Sequence, residues 1–265
     1  MRTRVITGAM LAPVVLAIVY TGTLPTAALV LLGAMAMAGE LADTAGGRER
    51  PVAVPVAVGA VCLVIIFAVT QTWQAVFVTA LAGGLATGLA LRGVAGTVSG
   101  VAFAYVAVAC AAGIWLRQQP EEVGAATLIW LLLIVWATDV GAFAGGRTLG
   151  GRRLAPRLSP NKTWSGLLAG MASAALVSGA VAAAWPALRE VPGAGSFAVA
   201  ALSGAGLAAV EQGGDLLESA WKRYFDVKDS GVIIPGHGGV LDRADGLLAV
   251  LIAVAALHLV LGSHA

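Results

Sequence analysis

Residues 211–245 read EQGGDLLESAWKRYFDVKDSGVIIPGHGGVLDRAD. Acids, bases, one histidine and a glycine-rich loop crowd together there between apolar runs on either side, and nothing else in the chain is so polar for so long. The surrounding composition decides the fold. The 265 residues are 59% hydrophobic and only 11% charged, with a mean hydropathy of +0.90, which is outside the range of water-soluble domains. Apolar stretches near the roughly 20 residues that carry a helix across a bilayer fall at 5–21, 25–43, 53–70, 73–91, 97–116, 126–146, 164–185, 197–219 and 246–262. The reading is therefore an all-α, polytopic membrane bundle of about nine transmembrane helices, forming a single membrane domain over 1–265. Within it, 1–120 holds the N-terminal helices, and 125–262 holds the catalytic helices with polar loops 147–163 and 220–245. The first span is expected to be retained, because no small-x-small cleavage site follows it.

Charge sets the expected orientation. With nine spans and a cytoplasmic N-terminus, all of the 16 Lys and Arg residues except Arg117 and Arg189 fall on the cytoplasmic side, as short loops require. Both polar loops then face the cytoplasm. The net charge of +2 reflects this bias, and no basic stripe with interleaved aromatics marks a nucleic-acid partner. Cys62 and Cys110 lie inside spans and form no metal motif. Gly33, Gly39, Gly84, Gly88 and Gly170 read as packing residues between close helices.

In the eighth span Glu211, Asp215, Glu218 and Lys222 stand at i, i+4, i+7 and i+11, so one helical face carries several carboxylates. Ionisable groups inside a span are costly and mark a functional interior, and acids on one face repel unless something positive sits among them. Glu218 has an alternative as an ordinary i,i+4 partner of Lys222. Beyond that helix, Pro235, Gly236, Gly238 and Gly239 form a loop whose amides can close around an anion. Asp242 and Asp245 follow where the ninth helix begins. Carboxylates from two helix ends, beside a loop of amide donors and bases, suit Mg²⁺ carrying a phosphate ligand. His237 lacks a second histidine at ligand spacing and reads as a hydrogen-bonding or structural residue of that loop. From the residues alone this is metal-assisted phosphoryl-type transfer at the cytoplasmic membrane face.

Ser219-x-x-Lys222-Arg223, Lys228-Asp229, His237-Gly238-Gly239, Asp242-Arg243 and Asp245 together resemble the signature of the phosphatidate cytidylyltransferases, membrane enzymes that make CDP-diacylglycerol. Asp139-Val-Gly-Ala-Phe-x-x-Gly146 and Ser159-Pro-Asn-Lys162-Thr163-Trp164-Ser-Gly166 are similar to the same family. Ser165 departs from it, since an acid or glutamine is common there. The resemblance is dense from about 136 to 246.

It implies cytidylyl transfer from CTP to phosphatidate, with release of pyrophosphate, in phospholipid biosynthesis. It also implies a requirement for Mg²⁺, with room for a second metal ion, and partners limited to CTP, phosphatidate and membrane lipids, with a homodimer left open. Asp215 and Asp242 are expected as metal ligands because they sit at the ends of two helices that bracket the loop, with Ser219, Asp229 and Asp245 as further ligands or as groups that hydrogen-bond to the ligands. Lys222, Arg223, Lys228, Arg243 and, from the other loop, Lys162 are expected on phosphate oxygens. Asp139, Ser159, Thr163, Gly238 and Gly239 are expected near substrate, with His237 in the catalytic loop. Arg147, Arg152, Arg153 and Arg157 read as topological charges and anionic-lipid contacts.

A secondary transporter would also show acids within spans, but it carries paired halves with matching broken helices, and none is visible here. A lipid kinase, or a cytidylyltransferase for an isoprenoid-linked phosphate, would keep the charges and change the acceptor pocket. A membrane scaffold would leave the acids in spans 6 and 8 unexplained.

Overall fold

Long apolar runs in a solvent that offers no hydrogen bonds must satisfy their backbone internally, and helices do so. The computed structural model describes residues 2–47, 49–231, 233 and 238–262, with the side chains of 2–9, 47 and 262 left aside. His237 lies outside the described residues. Among the described residues there are nine α-helices: α1 (Arg2–Thr21), α2 (Thr23–Ala42), α3 (Ala53–Val69), α4 (Trp73–Leu91), α5 (Gly93–Arg117), α6 (Glu121–Leu149), α7 (Trp164–Ala184), α8 (Phe197–Tyr224) and α9 (Leu241–Gly262). Each coincides with one of the nine apolar stretches.

By length and composition, six of the described helical segments suffice to cross a membrane: Thr23–Gly46, Trp73–Leu91, Gly93–Arg117, Glu121–Leu149, Trp164–Ala184 and Leu241–Leu261. Apolar parts of α1 (Met10–Thr21) and α3 are shorter. The fold is thus a helical, membrane-type bundle.

Two additions refine that picture. A five-residue π-helical turn, Asp43–Gly47, extends α2. Between α6 and α7, β1 (Arg153–Ala155) and β2 (Ser159–Thr163) pair as a small antiparallel hairpin, with Arg153 opposite Thr163 and Ala155 opposite Ser159. The all-α expectation holds for the bundle, and this hairpin stands outside it.

The chain divides into two compact units. The first comprises Met1–Gln118 and Trp221–Ala244. Here α2, α3, α4 and α5 pack on one another, and the tightest approach joins α4 to α5. A Cβ on Gly84 would come within 2.6 Å of the Gly100 carbonyl oxygen, and one on Gly88 within 3.0 Å of the Gly96 carbonyl oxygen. Leu81, Leu85 and Leu89 lie exposed along α4, the kind of surface that lipid covers. Gly33 and Gly39 differ from expectation, because open space surrounds the position a side chain would take at either. Arg117 is buried at the end of α5, where its Nε donates to the Val19 carbonyl at 2.9 Å.

The second unit comprises Gln119–Ala220 and Asp245–Ala265. Glu121 and Glu122 open α6 and Arg147 closes it, matching the helix dipole at both ends. Gly150, at φ +61°, stops the helix in a conformation that costs glycine little. The Thr163 hydroxyl caps α7 by accepting from the Gly166 amide at 3.1 Å. Helices α6 and α7 touch nearly backbone to backbone: a Cβ on Gly141 would meet Ser173 Cβ at 2.6 Å and the Ala169 carbonyl at 2.9 Å, and Gly170 faces the Thr138 carbonyl at 3.0 Å. Trp130 Nε1 donates to Ser178 Oγ at 2.9 Å across the same pair. Gly141→Val is therefore expected to separate the two helices, at an overpacking cost of about 1–3 kcal/mol. The measurement is a thermal melt of the chain in detergent, in which an unchanged midpoint would contradict the packing role.

Candidate active site

Repulsion among the acids of α8 is relieved in the second unit by a cation delivered from the hairpin. Lys162, the residue before the Thr163 cap, donates from Nζ to Gln212 Oε1 at 3.0 Å and forms an ion pair with Asp215. Gln212 passes the contact on, its Nε2 donating to Glu211 Oε2 at 2.8 Å. The hairpin is anchored at its base, where Ser165 Oγ donates to the Gly150 carbonyl and stands 3.0 Å from Thr163 Oγ1. Ser165 thus takes a place in that turn.

Asp215, Glu218 and Asp245 each offer a carboxylate oxygen, and these oxygens lie within 4.8 Å of one another. Two glycines allow the approach. A Cβ at Gly214 would meet the Asp245 carbonyl at 2.8 Å, and one at Gly246 would meet Glu211 Oε1 at 2.8 Å, so α8 and α9 close up only because both positions lack side chains. Glu211 and Glu218 are buried and Asp215 is half-buried. Asp139 is exposed on α6 and is among the charges acting on Glu211. Ser219 is half-buried on α8, and Ser159 is half-buried in β2 opposite Ala155. Thr163 is buried in its capping role.

The first unit holds a second polar centre around the start of α9. Asp242 Oδ1 accepts from Lys222 Nζ at 2.7 Å, while Oδ2 accepts from the Ser230 amide at 2.9 Å and the Gly239 amide at 2.8 Å. Its side chain is 4% exposed, so the carboxylate is surrounded by its donors. Gly238 has φ +86°, and a Cβ there would stand 2.8 Å from Asp242 Oδ2, which restricts the position to glycine on both counts. Arg223, Lys228, Asp229 and Arg243 are exposed.

Sequence reasoning missed Glu40, near the C-terminal end of α2. It is 5% exposed and accepts from the Val240 amide at 2.8 Å, the Leu241 amide at 2.9 Å and Ser230 Oγ at 3.3 Å. The available signal was Glu40, with Asp43 three residues on, at the end of an otherwise apolar span with no base three or four residues from Glu40.

A family model described as the cytidylyltransferase family matches residues 2–261. The chain belongs to the cytidylyltransferase family. Among curated relatives of this cytidylyltransferase-family chain, the phosphatidate cytidylyltransferase of Brucella suis biovar 1 (strain 1330) is 49% identical over 144 residues, covering 54% of this chain and 50% of the relative. That of Rickettsia bellii (strain RML369-C) is 45% identical over 123 residues, 45% of this chain and 53% of the relative. That of Bacillus subtilis (strain 168) is 39% identical over 131 residues, 49% and 46% respectively. The chain thus spans about half the length of the curated relatives it matches.

Proposed function

We propose that the chain transfers a cytidylyl group from CTP to phosphatidate, giving CDP-diacylglycerol and pyrophosphate for phospholipid synthesis. The observation that carries the reading is the Asp215, Glu218 and Asp245 oxygen cluster with Lys162 ion-paired at its edge, in a chain of the cytidylyltransferase family. In the reaction a phosphatidate oxygen forms a bond to the α-phosphorus of CTP, and the bond to the β-phosphate oxygen breaks. A phosphomonoester with a second pKa near ~6 is already largely dianionic at neutral pH, so the attacking oxygen needs no strong base. What the protein must supply is position and charge neutralisation.

The donor set fits a hard divalent cation such as Mg²⁺, which takes oxygen ligands and keeps substrate phosphates in its shell. We assign Asp215, with Glu218 and Asp245, to hold it. When bound, such an ion neutralises the charge that develops on attacking and leaving oxygens. The expectation that Asp242 is also a metal ligand is kept as a proposal for the first unit by itself, where Oδ1 accepts from Lys222 and Oδ2 from two amides, so a cation bound there displaces Lys222. Lys222, Arg223, Lys228 and Arg243 are assigned to phosphate oxygens of CTP or of the lipid, and Lys162 to the phosphates beside Asp215. Asp139, Ser159, Ser219, Asp229, Gly238 and Gly239 complete the substrate surroundings. Nine spans, a cytoplasmic N-terminus and a cytoplasmic active face in a bacterial plasma membrane belong to the proposal, supported by the distribution of bases.

The test is purified chain with labelled CTP, phosphatidate and Mg²⁺. Labelled CDP-diacylglycerol and pyrophosphate are expected in equal amounts, abolished by EDTA and restored by excess Mg²⁺. Absence of pyrophosphate release, or full activity after chelation, would overturn the reading. Transfer to an isoprenoid-linked phosphate in preference to phosphatidate would overturn the acceptor.

A further inference from the structure

The first turn of any helix exposes amides that need acceptors, and α9 begins without a serine or threonine cap at Gly239 or Val240. The two amides that lead into it and the first of its own are divided between two carboxylates. Gly239 N donates to Asp242, three residues ahead, and Val240 N and Leu241 N donate to the two oxygens of Glu40, some 200 residues earlier in the chain. Ser230 joins the two acids: its amide donates to Asp242 and its hydroxyl to Glu40. One turn beyond Glu40, in the π-helical stretch, Thr44 Oγ1 donates to the Ser230 carbonyl at 3.1 Å. Glycines make room for the acid, since a Cβ on Gly231 or Gly239 would lie 2.6 Å from a Glu40 carboxylate oxygen.

We infer that Glu40 is a positioning residue for the reaction, fixing the Ser230 and Gly239 amides that orient Asp242 and, through it, Lys222. This rests on the proposed transfer only for the consequence in turnover; the structural half stands apart. A carboxylate offers acceptors alone, whereas the glutamine of Glu40→Gln turns an NH₂ toward Val240 N or Leu241 N and leaves that amide facing a donor. The substitution is close to isosteric, so the helix packing around α2 is kept.

The experiment uses the full chain in lipid nanodiscs with two readouts. In Glu40→Gln, hydrogen exchange of peptides covering 226–245 is expected to accelerate at least tenfold while α3–α7 peptides hold their rates, and kcat is expected to fall on the order of 10–100-fold with KM for the lipid within twofold. Ser230→Ala alone is expected to be milder, and the double variant no worse than Glu40→Gln within twofold, because Ser230 Oγ acts through the same acid. Unchanged exchange at 226–245, faster exchange throughout the chain, unchanged kcat beside a loosened loop, or additive losses in the double variant would each overturn the inference. If the wild-type chain makes no CDP-diacylglycerol, the proposed function fails while the exchange data still judge Glu40.

Discussion

Replacing Asp215 with Asn is expected to lower turnover by roughly a thousand-fold or more with the chain still folded, because on the proposed assignment it removes a charged metal ligand and forfeits several kcal/mol of transition-state stabilisation. Asparagine keeps the size of the side chain and one oxygen to accept from Lys162, so packing against α9 is preserved while the charge offered to a cation is lost. The decisive measurement is kcat over a Mg²⁺ titration together with a melt in detergent. Turnover within tenfold of wild type would remove Asp215 from the metal site.

The second large effect is expected at Lys162. In Lys162→Met the stem is retained and the cation is lost, leaving Asp215 without its ion pair beside Glu218 and Asp245. Breaking a partly buried pair on one side costs about 2–3 kcal/mol of stability, less than for a fully enclosed pair because water screens it. Turnover should fall roughly 100-fold or more, since on the proposed assignment a preorganised phosphate donor is lost as well. Lys162→Arg is expected to restore the charge and only part of the rate, because a planar guanidinium cannot repeat the single-point contact with Gln212 and Asp215. Wild-type kinetics and melting in Lys162→Met would exclude both roles.

The helices were legible because lipid imposes one rule on every span, and an apolar run bounded by charge, glycine or proline marks it directly. That rule located α3, α4 and α7 to within a residue or so of their ends. It located the ends of α6 and α8 less well: both run several residues beyond their apolar stretches, because backbone bonding continues past the last residue that lipid would accept. The hairpin at 153–163 left no pattern, for its strands are three and five residues long and include Pro160 and Asn161.

The acids of α8 could be placed on one face from spacing alone. The identity of their counter-charge could not, because Lys162 is 53 residues from Asp215 and only the hairpin brings it there. Glu40 was harder still, since its partners, Ser230 and the amides of Val240 and Leu241, lie some 190–200 residues away in the chain. Gly33 and Gly39 show the converse error: abundance of glycine suggested contact, and at those two positions the backbone faces open space.

The hairpin also bears on how the protein is made. A ribosome delivers Lys162 well before Asp215, so the base is already synthesised when the translocon receives a segment carrying Glu211, Asp215 and Glu218. Such a segment partitions poorly into lipid by itself, and its biogenesis then depends on a neighbour synthesised earlier.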